Sequence, residues 1–187
     1  MVYLYRGEEM IIFKNGDWLI RHVEESDQHL LVKWLRDPRV LEYYEGRDKP
    51  YDLEAVNFEF INVKDHIERC IIEYQSETIG YIQIYPLDAD TQKIYGISGN
   101  DFYGMDQFIG EPSYWNKGIG TELVSLIADY LISVRKAEQV YMDPQLRNPR
   151  ALRCYEKAGF KKVKLLPEHE WHEGKFQDCW LMVYPGQ

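Results

Sequence analysis

The sequence predicts one domain in which helices and strands are mixed. Its 187 residues are enough for a single hydrophobic core. Hydrophobic residues make up 45% and aromatic residues 14%, more than a disordered chain contains. Segments with strand patterns alternate with segments of helical spacing, and no repeat or linker divides them. We therefore expect one domain over residues 10–187, with residues 1–9 as an N-terminal extension.

Two capping residues mark helices in the first half of the chain. Ser26 precedes an apolar helical face at residues 30–35, and Asp52 precedes a helical stretch at residues 53–62. Residues 86–103 are polar and contain glycine, which predicts a long loop. Strands are expected at residues 18–23 and in a hairpin made of residues 69–74 and 78–85.

Two further helices are predicted in the second half. Apolar residues recur with helical spacing from Ile119 to Val134, which indicates a helix with one buried face. Asn148 and Pro149 mark the start of the other helix, as its cap and first residue, and Gly159 is placed to end it. Strands are expected at residues 105–109, 139–142, 160–166 and 176–184.

A glycine-containing loop precedes the helix at Ile119. Gly118 and Gly120 let the backbone approach a ligand, and the first amides of the helix have no partner within it, so this turn suits phosphate oxygens. Lys117 adds a cation and Thr121 a hydroxyl. A dinucleotide fingerprint would need a third glycine at Leu123, and the Gly-Lys-Ser/Thr ending of a nucleoside-triphosphate loop is absent from this segment.

A second constellation lies on the helix that begins after Asn148. Asn148, Ala151, Tyr155 and Gly159 are spaced three and four residues apart, which places them on one helical face. Together with the loop roughly 30 residues earlier, this pattern resembles the Gcn5-related N-acetyltransferase (GNAT) superfamily. The resemblance implies that the loop holds the pyrophosphate of coenzyme A. It also implies that the asparagine contacts the cofactor arm and that the tyrosine lies near the cofactor sulfur.

The resemblance narrows to the aminoglycoside 6'-N-acetyltransferases, including the acetyltransferase half of the bifunctional aminoglycoside acetyl- and phosphotransferase. It implies a single-domain α/β GNAT fold. The expected sheet is mixed and mostly antiparallel, with six to seven strands, flanked by helices and splayed in the middle to admit acetyl-CoA. Trp115 departs from the superfamily, which usually has Arg or Gln there, so we expect the loop backbone to hold the pyrophosphate. The matching segments are residues 34–35, 43–46, 104–107, 114–121, 143–144, 148–160 and 167–170.

The same resemblance implies roles for individual residues. Asp106 is the candidate base beside the reacting amine, although an aspartate pKa of about 4 also suits a role in fixing the ammonium. Tyr155 is the candidate acid that protonates the departing thiolate. The cofactor-binding residues that the resemblance implies are Gln107, Phe108, Ile109, Trp115, Lys117, Gly118, Ile119, Gly120, Thr121, Asn148 and Ala151. The substrate-binding residues that it implies are Tyr44, Asp106, Asp143 and Asp178.

Two other features suggest alternative chemistry. Cys154 invites a covalent acyl-enzyme, but it lies about 100° around the helix from Tyr155 and no histidine is a clear base for it. We therefore expect a buried structural thiol. His169 and His172 have two glutamates nearby, but they lack the His-Glu-x-x-His zinc pattern, so we expect no metal site.

Charge and composition narrow the partners. The chain has 31 acidic and 22 basic residues and a formal charge of −9, which disfavours nucleic acid and favours a polycationic small molecule. No apolar run reaches the roughly 20 residues that cross a bilayer, and residues 1–9 lack the apolar stretch of a signal peptide. The odd number of cysteines, Cys70, Cys154 and Cys179, is typical of reduced thiols in a cytoplasmic protein.

The resemblance implies an enzyme that transfers acetyl from acetyl-CoA directly to the 6'-amine of an aminoglycoside and so confers resistance, and the acidic charge agrees with such a substrate. Two alternatives stay open. One is an N-acetyltransferase for another amine, such as a polyamine or a protein N-terminus. The other is a sensor that binds acetyl-CoA without turnover, against which the presence of both Asp106 and Tyr155 argues.

Overall fold

One sheet of eight strands organises residues 10–185, the part of the chain that a computed structural model describes. The order of its strands is β1-β2-β3-β4-β5-β6-β8-β7. The predicted extension, residues 1–9, lies outside the described residues. The strands are Ile11–Asn15 (β1), Trp18–His22 (β2), Glu68–Tyr74 (β3), Glu77–Pro86 (β4), Phe102–Ile109 (β5), Gln139–Met142 (β6), Lys161–His172 (β7) and Lys175–Pro185 (β8).

The sheet has one strand more than the six to seven predicted. The missed strand is β1, which pairs antiparallel with β2 in register Asn15↔Trp18, so that Gly16 and Asp17 form the turn. Gly16 has a positive φ of 58°. Asn-Gly beside a short apolar run is a hairpin signal, so the sequence carried information about this strand. The mixed α/β class is confirmed.

Helices connect the strands. The stretch predicted at residues 53–62 is confirmed, with Asp52 accepting the Ala55 amide as its cap, although its second part, Asn57–Ile61, is π-helical. The helices are Gln28–Trp34 (α1), Pro38–Leu41 (α2), Leu53–Val56 (α3), Ala89–Tyr95 (α4), Ile119–Ser133 (α5) and Pro149–Lys157 (α6).

The long loop predicted at residues 86–103 is wrong, because this segment contains α4 and the start of β5. Asp88 caps α4 by accepting the Thr91 amide at 2.7 Å, and Gly96 ends it in the left-handed region at φ 66°. Among the α4 residues only Tyr95 is buried. A helix that buries one side chain has no apolar stripe to reveal it, whereas its cap and its terminal glycine were readable.

The described chain divides into two compact units. One contains the chain up to Gln83 together with Gln107–Trp115, and the other contains Ile84–Asp106 and the chain from Asn116 onward. Strands β4 and β5 contribute residues to both units.

Aromatic rings form the centre of the first unit. Tyr81 stacks on Phe108 with ring centroids 5.6 Å apart, and Trp34 meets Phe108 edge-on at 5.9 Å. Trp34 and Tyr81 are fully buried. Such pairs contribute about 0.5–1.5 kcal/mol each beyond the burial of their area.

A charged network joins the start of α1 to the sheet in the first unit. The predicted cap Ser26 is wrong, because it lies inside a 3-10 turn, Glu25–Asp27, that precedes α1. Glu24 and Asp27 form the capping box instead, and the Asp27 carboxylate accepts both the Glu24 amide and a bidentate pair from Arg21. The buried Asp27 side chain thereby finds donors for both of its oxygens.

Two amphipathic helices belong to the second unit, and both are confirmed. α5 buries the face that its spacing predicts, including Leu123, Ile127 and Leu131. α6 begins as predicted, with the Asn148 side chain accepting the Ala151 amide at 3.0 Å. Gly159 follows its last turn at φ 103°.

The splay predicted for the middle of the sheet occurs between β5 and β6. These strands are parallel and pair only from Phe102↔Gln139 to Gly104↔Tyr141. Beyond that point β6 continues for one residue, whereas β5 continues to Ile109. The parallel register therefore ends in the middle of β5.

Candidate active site

Two carboxylates lie where the β5/β6 register ends in the second unit. Asp106 and Asp143 each follow the last paired residues, Gly104 and Tyr141, by two positions. The charges of both aspartates act on the same two tyrosines, Tyr85 and Tyr95. Two carboxylates that are 37 positions apart in the sequence therefore lie in one region of the second unit.

Asp106 is held by a tyrosine from β4. The Tyr85 hydroxyl donates a hydrogen bond to Asp106 Oδ2 at 2.9 Å. Burial raises the pKa of Tyr85 well above its ordinary value of 10, and the charges of Asp106 and Asp143 raise it further. Tyr85 is therefore a permanent donor, and its hydroxyl experiences the charge of both carboxylates.

A glycine makes this contact possible. A Cβ placed on Gly104 would lie 2.4 Å from the Tyr85 ring and 3.0 Å from the Leu87 side chain. The ring therefore crosses β5 where the strand has no side chain. Only glycine leaves this space, and the Tyr85 hydroxyl reaches Asp106, two residues further along, because of it.

Asp143 has two partners. His169 Nε2 lies 2.7 Å from Asp143 Oδ2, and this hydrogen bond raises the pKa of His169 above its ordinary 6.5. The buried Tyr95 side chain hydrogen-bonds to Asp143 as well. Burial first, and then the charge of Asp143, raise the pKa of Tyr95 far above its usual range, so Tyr95 remains a donor.

A third carboxylate lies behind this pair. Glu170 Oε1 accepts the buried Gln145 amide at 2.8 Å, and Arg147 donates to Gln145 Oε1 at 2.7 Å. Burial raises the pKa of Glu170, and the charge of Asp143 adds to this shift. Burial also raises the pKa of the Cys179 thiol, beside Glu170. This region thus contains three carboxylates, and each accepts a hydrogen bond from a neutral tyrosine or glutamine side chain.

The glycine loop presents the open end of α5. Asn116 and Gly118 have positive φ values of 59° and 84°, and Gly118 is the N-cap residue. No side chain caps α5 among the described residues, so its first amides point out of the helix. A Cβ on Gly120 would meet Cys154 Sγ at 3.5 Å, an ordinary contact. The backbone therefore fits an anionic group such as a pyrophosphate.

Side chains that were predicted to assist the loop have local partners. The Thr121 hydroxyl donates to Cys154 Sγ at 3.5 Å. Burial raises the pKa of the Cys154 thiol, which opposes the thiolate that a nucleophile needs. Tyr155 is half-buried, with its ring 6.2 Å from that of Phe160. Its role as the acid stays a prediction.

The remaining cofactor candidates belong to the first unit. The Trp115 indole N–H donates to the Ile109 carbonyl at 2.8 Å, so this side chain is engaged within its own unit. The Phe108 ring is buried against Tyr81, and Tyr44 packs edge-on against Phe108 at 4.8 Å. Contacts from Gln107, Phe108 and Ile109 to the cofactor stay predictions, as does the role of Tyr44 with substrate.

Asp178 has a structural partner in the second unit. Its Oδ1 accepts the Glu168 backbone amide at 2.9 Å, across the irregular register between Leu166 and Glu170 in the β7–β8 hairpin. Glu168 has a positive φ of 49°, and this contact stabilises that turn of the backbone. Binding of substrate by Asp178 stays a prediction.

Sequence reasoning missed two of the tyrosines and the role of a histidine. Tyr85 lies at the end of a predicted strand, directly before Pro86, where a polar group at a strand end was a usable signal. Tyr95 was hidden because α4 was not predicted. The sequence around His169 suggests a metal ligand and does not indicate its pairing with Asp143. Among residues 10–185, no group of three or more His, Cys, Asp or Glu side chains is placed to hold a metal ion.

Comparison with known proteins decides the family. The sequence model of the acetyltransferase (GNAT) domain matches residues 23–167. The chain belongs to the GNAT acetyltransferase family. Acetyl-CoA is accordingly its cofactor, as the resemblance implied, and the single GNAT fold is confirmed. No helix of this GNAT chain, within its described residues, is long and apolar enough to cross a membrane.

Relatives of this GNAT chain act on amines. Aminoglycoside N(6')-acetyltransferase type 1 of Klebsiella pneumoniae is 28% identical over 152 residues, 79% of this chain and 76% of the relative. Spermidine N(1)-acetyltransferase of Vibrio cholerae is 24% identical over 88% of this chain and 85% of the relative. A solved structure of AAC(6')-Ib in complex with ribostamycin and coenzyme A is 25% identical, covers 91% of this chain and 94% of its own, and has a TM-score of 0.70.

Proposed function

We propose that this GNAT enzyme transfers an acetyl group to the 6'-amine of an aminoglycoside. The observation that carries the proposal is the pair of carboxylates, Asp106 and Asp143, which accept hydrogen bonds from Tyr85 and Tyr95 and both act on these tyrosines by their charge. Two carboxylates suit a substrate with several ammonium groups. The formal charge of −9 and the similarity to aminoglycoside acetyltransferases support the same substrate class.

In the proposed mechanism, Asp106 binds the reacting ammonium and accepts a proton from it. Tyr85 fixes the orientation of the carboxylate by donating a hydrogen bond to Oδ2 at 2.9 Å. The α5 N-terminus and the backbone of residues 117–121 hold the pyrophosphate. Acetyl-CoA supplies the acetyl group as a thioester. Tyr155 holds a proton at its hydroxyl for the departing sulfur.

Acetylation removes a positive charge and a hydrogen-bond donor from a drug that binds anionic RNA, so the proposed reaction confers antibiotic resistance. The three cysteines are reduced, which suits a reducing compartment, and we place the reaction in the cytoplasm.

A second candidate function is acetylation of a linear polyamine. The similarity to a spermidine acetyltransferase favours it, and the carboxylate pair accommodates either kind of polycation. The two candidates differ in the shape of the substrate, because an aminoglycoside carries its ammonium groups on rigid rings.

Thiol release from acetyl-CoA in the presence of kanamycin, tobramycin, spermidine or a short peptide tests the proposal. We expect release with at least one aminoglycoside. Turnover with spermidine alone would establish the second candidate instead. Thermal stabilisation by acetyl-CoA without turnover of any amine would indicate a binding protein without catalysis.

The role of Asp106 is tested by Asp106→Asn. We expect turnover to fall by about 10²-fold or more, because the amide cannot accept the amine proton, while the dissociation constant of acetyl-CoA stays within about twofold. Asp17→Asn, at an exposed carboxylate in the β1–β2 turn, is the matched control and should leave both values unchanged. Equal turnover in Asp106→Asn and wild type would remove Asp106 from the mechanism.

A further inference from the structure

One of the two carboxylates already has a titratable donor. Asp143 Oδ2 lies 2.7 Å from His169 Nε2, whereas Tyr85, which donates to Asp106, never becomes a cation. The side chains of His169 and Asp143 are 18% and 25% exposed, so solutes reach the pair. The two carboxylates therefore differ: Asp106 is hydrogen-bonded by a neutral group, and Asp143 by a group that becomes a cation.

The groups around this pair are mostly neutral or acidic. Two further basic side chains lie near Glu170: His172 Nδ1 is 3.8 Å from Glu170 Oε1, and Arg147 donates to Gln145, whose amide donates to Glu170. The His169 ring is in direct contact with Asp143, so its imidazolium is the cation that a substrate ammonium would replace there. The surrounding groups are Tyr85 on β4, Tyr95 on α4, Asp106 on β5, Glu170 on β7 and Cys179 on β8.

We propose that His169 competes with substrate for Asp143, so that a substrate ammonium binding at Asp143 expels the proton that His169 carries. This inference rests on the proposed function, since it requires a substrate with a second ammonium group beyond the one at Asp106. His169 then sets the specificity of the site by pH, because it fills the second ammonium position when it is protonated and opens that position when it is neutral.

The sign of the effect follows from linkage. The hydrogen bond to Asp143, and then its charge, raise the pKa of His169. A bound ammonium competes for that hydrogen bond and offsets that charge, so the pKa of His169 falls when substrate binds. Protons are released on binding, and the affinity for the polyamine rises with pH through the range in which His169 titrates. A release of one proton per substrate corresponds to about a tenfold gain in affinity per pH unit.

Calorimetric titration of the coenzyme A complex with kanamycin and with spermidine, at pH about 7 in phosphate and in Tris, counts the released protons. Coenzyme A prevents turnover. We expect wild type to release roughly half a proton or more beyond His169→Gln, which keeps an amide donor but does not titrate. His66→Gln, at an exposed histidine in the first unit, should release protons as wild type does.

NMR titration of the His169 ring in wild type measures the same linkage without a variant. Its midpoint should fall when kanamycin or spermidine is added to the coenzyme A complex. Binding with equal proton release in wild type and His169→Gln, or an unmoved His169 midpoint, would overturn this inference and leave the proposed function intact. If kanamycin, tobramycin and spermidine all fail to bind wild type, both the proposed function and the inference are wrong.

Discussion

At the scale of single residues, Gly104 determines where the Tyr85 ring lies. A Cβ at position 104 would lie 2.4 Å from that ring, which leaves no room for alanine. Asp106 depends on this arrangement, since Tyr85 is the donor that fixes its Oδ2. Gly104, two residues before the proposed base, is therefore required by packing, and its effect on chemistry passes through a tyrosine on another strand.

Gly104→Ala should displace the Tyr85 ring and lower the free energy of unfolding by about 1–3 kcal/mol, as overpacking does. Turnover should fall by about tenfold or more, because Asp106 loses a hydrogen bond worth about 1.5–3 kcal/mol to a charged group. Urea unfolding and steady-state kinetics measure the two effects.

The double variant Gly104→Ala/Tyr85→Phe distinguishes this route from a general loss of order. If the glycine acts through the Tyr85 hydroxyl, removing that hydroxyl should add little to the loss of turnover in Gly104→Ala. Fully additive losses would show that Gly104 acts elsewhere.

At this scale, the functional residues that could be predicted from the sequence are those that belong to a motif. The matching segments pointed to Asp106 and Asp143, and in the structure the charges of both act on Tyr85 and Tyr95. It did not find Tyr85 or Tyr95, because a hydrogen bond between strands or from a helix depends on ring placement and not on spacing along the chain.

Helix starts could be predicted at the scale of elements when a cap stood ahead of an apolar stripe. Asn148 and α6 are such a case. α4 is the opposite one, since it has a cap but buries only Tyr95.

Capping by Asn148 also has a functional consequence. The Asn148 side-chain oxygen accepts the Ala151 amide, and its NH₂ group is the side-chain donor that could contact the cofactor arm.

Two substitutions separate the capping of α6 by Asn148 from its expected contact with the cofactor. Asn148→Ala should lower the free energy of unfolding by about 1 kcal/mol, whereas Asn148→Ser keeps a capping oxygen and should be nearly as stable as wild type. Both lose the amide donor, so both should bind acetyl-CoA more weakly if Asn148 contacts it. Chemical denaturation and acetyl-CoA titration provide the readouts. Normal cofactor affinity in Asn148→Ser would restrict Asn148 to capping.

At the scale of the whole molecule, the formal charge of −9 acts on every cation that approaches. The mixed α/β class, the family and the cofactor followed from the sequence, because they depend on patterns that span the chain. The split into two compact units did not, since β4 and β5 each belong to both and no change of composition marks the division.

The net charge predicts that salt weakens the capture of substrate and leaves the rate of the chemical step unchanged. Between about 50 and about 300 mM salt, kcat/KM for kanamycin should fall by roughly threefold or more, because ions screen the attraction, while kcat stays nearly constant. A monoamine of similar size serves as the control and should respond less. Equal salt responses for the two amines would mean that net charge has no part in substrate capture.

The close approach of Gly104 and Tyr85 also limits how this enzyme can evolve. A side chain at position 104 is tolerated only after Tyr85 has become smaller, since the two would occupy the same space. The reverse order passes through an overpacked intermediate. Laboratory selection for new substrates should therefore fix changes at Tyr85 first, and variants at position 104 should be recovered only in lineages that already carry one.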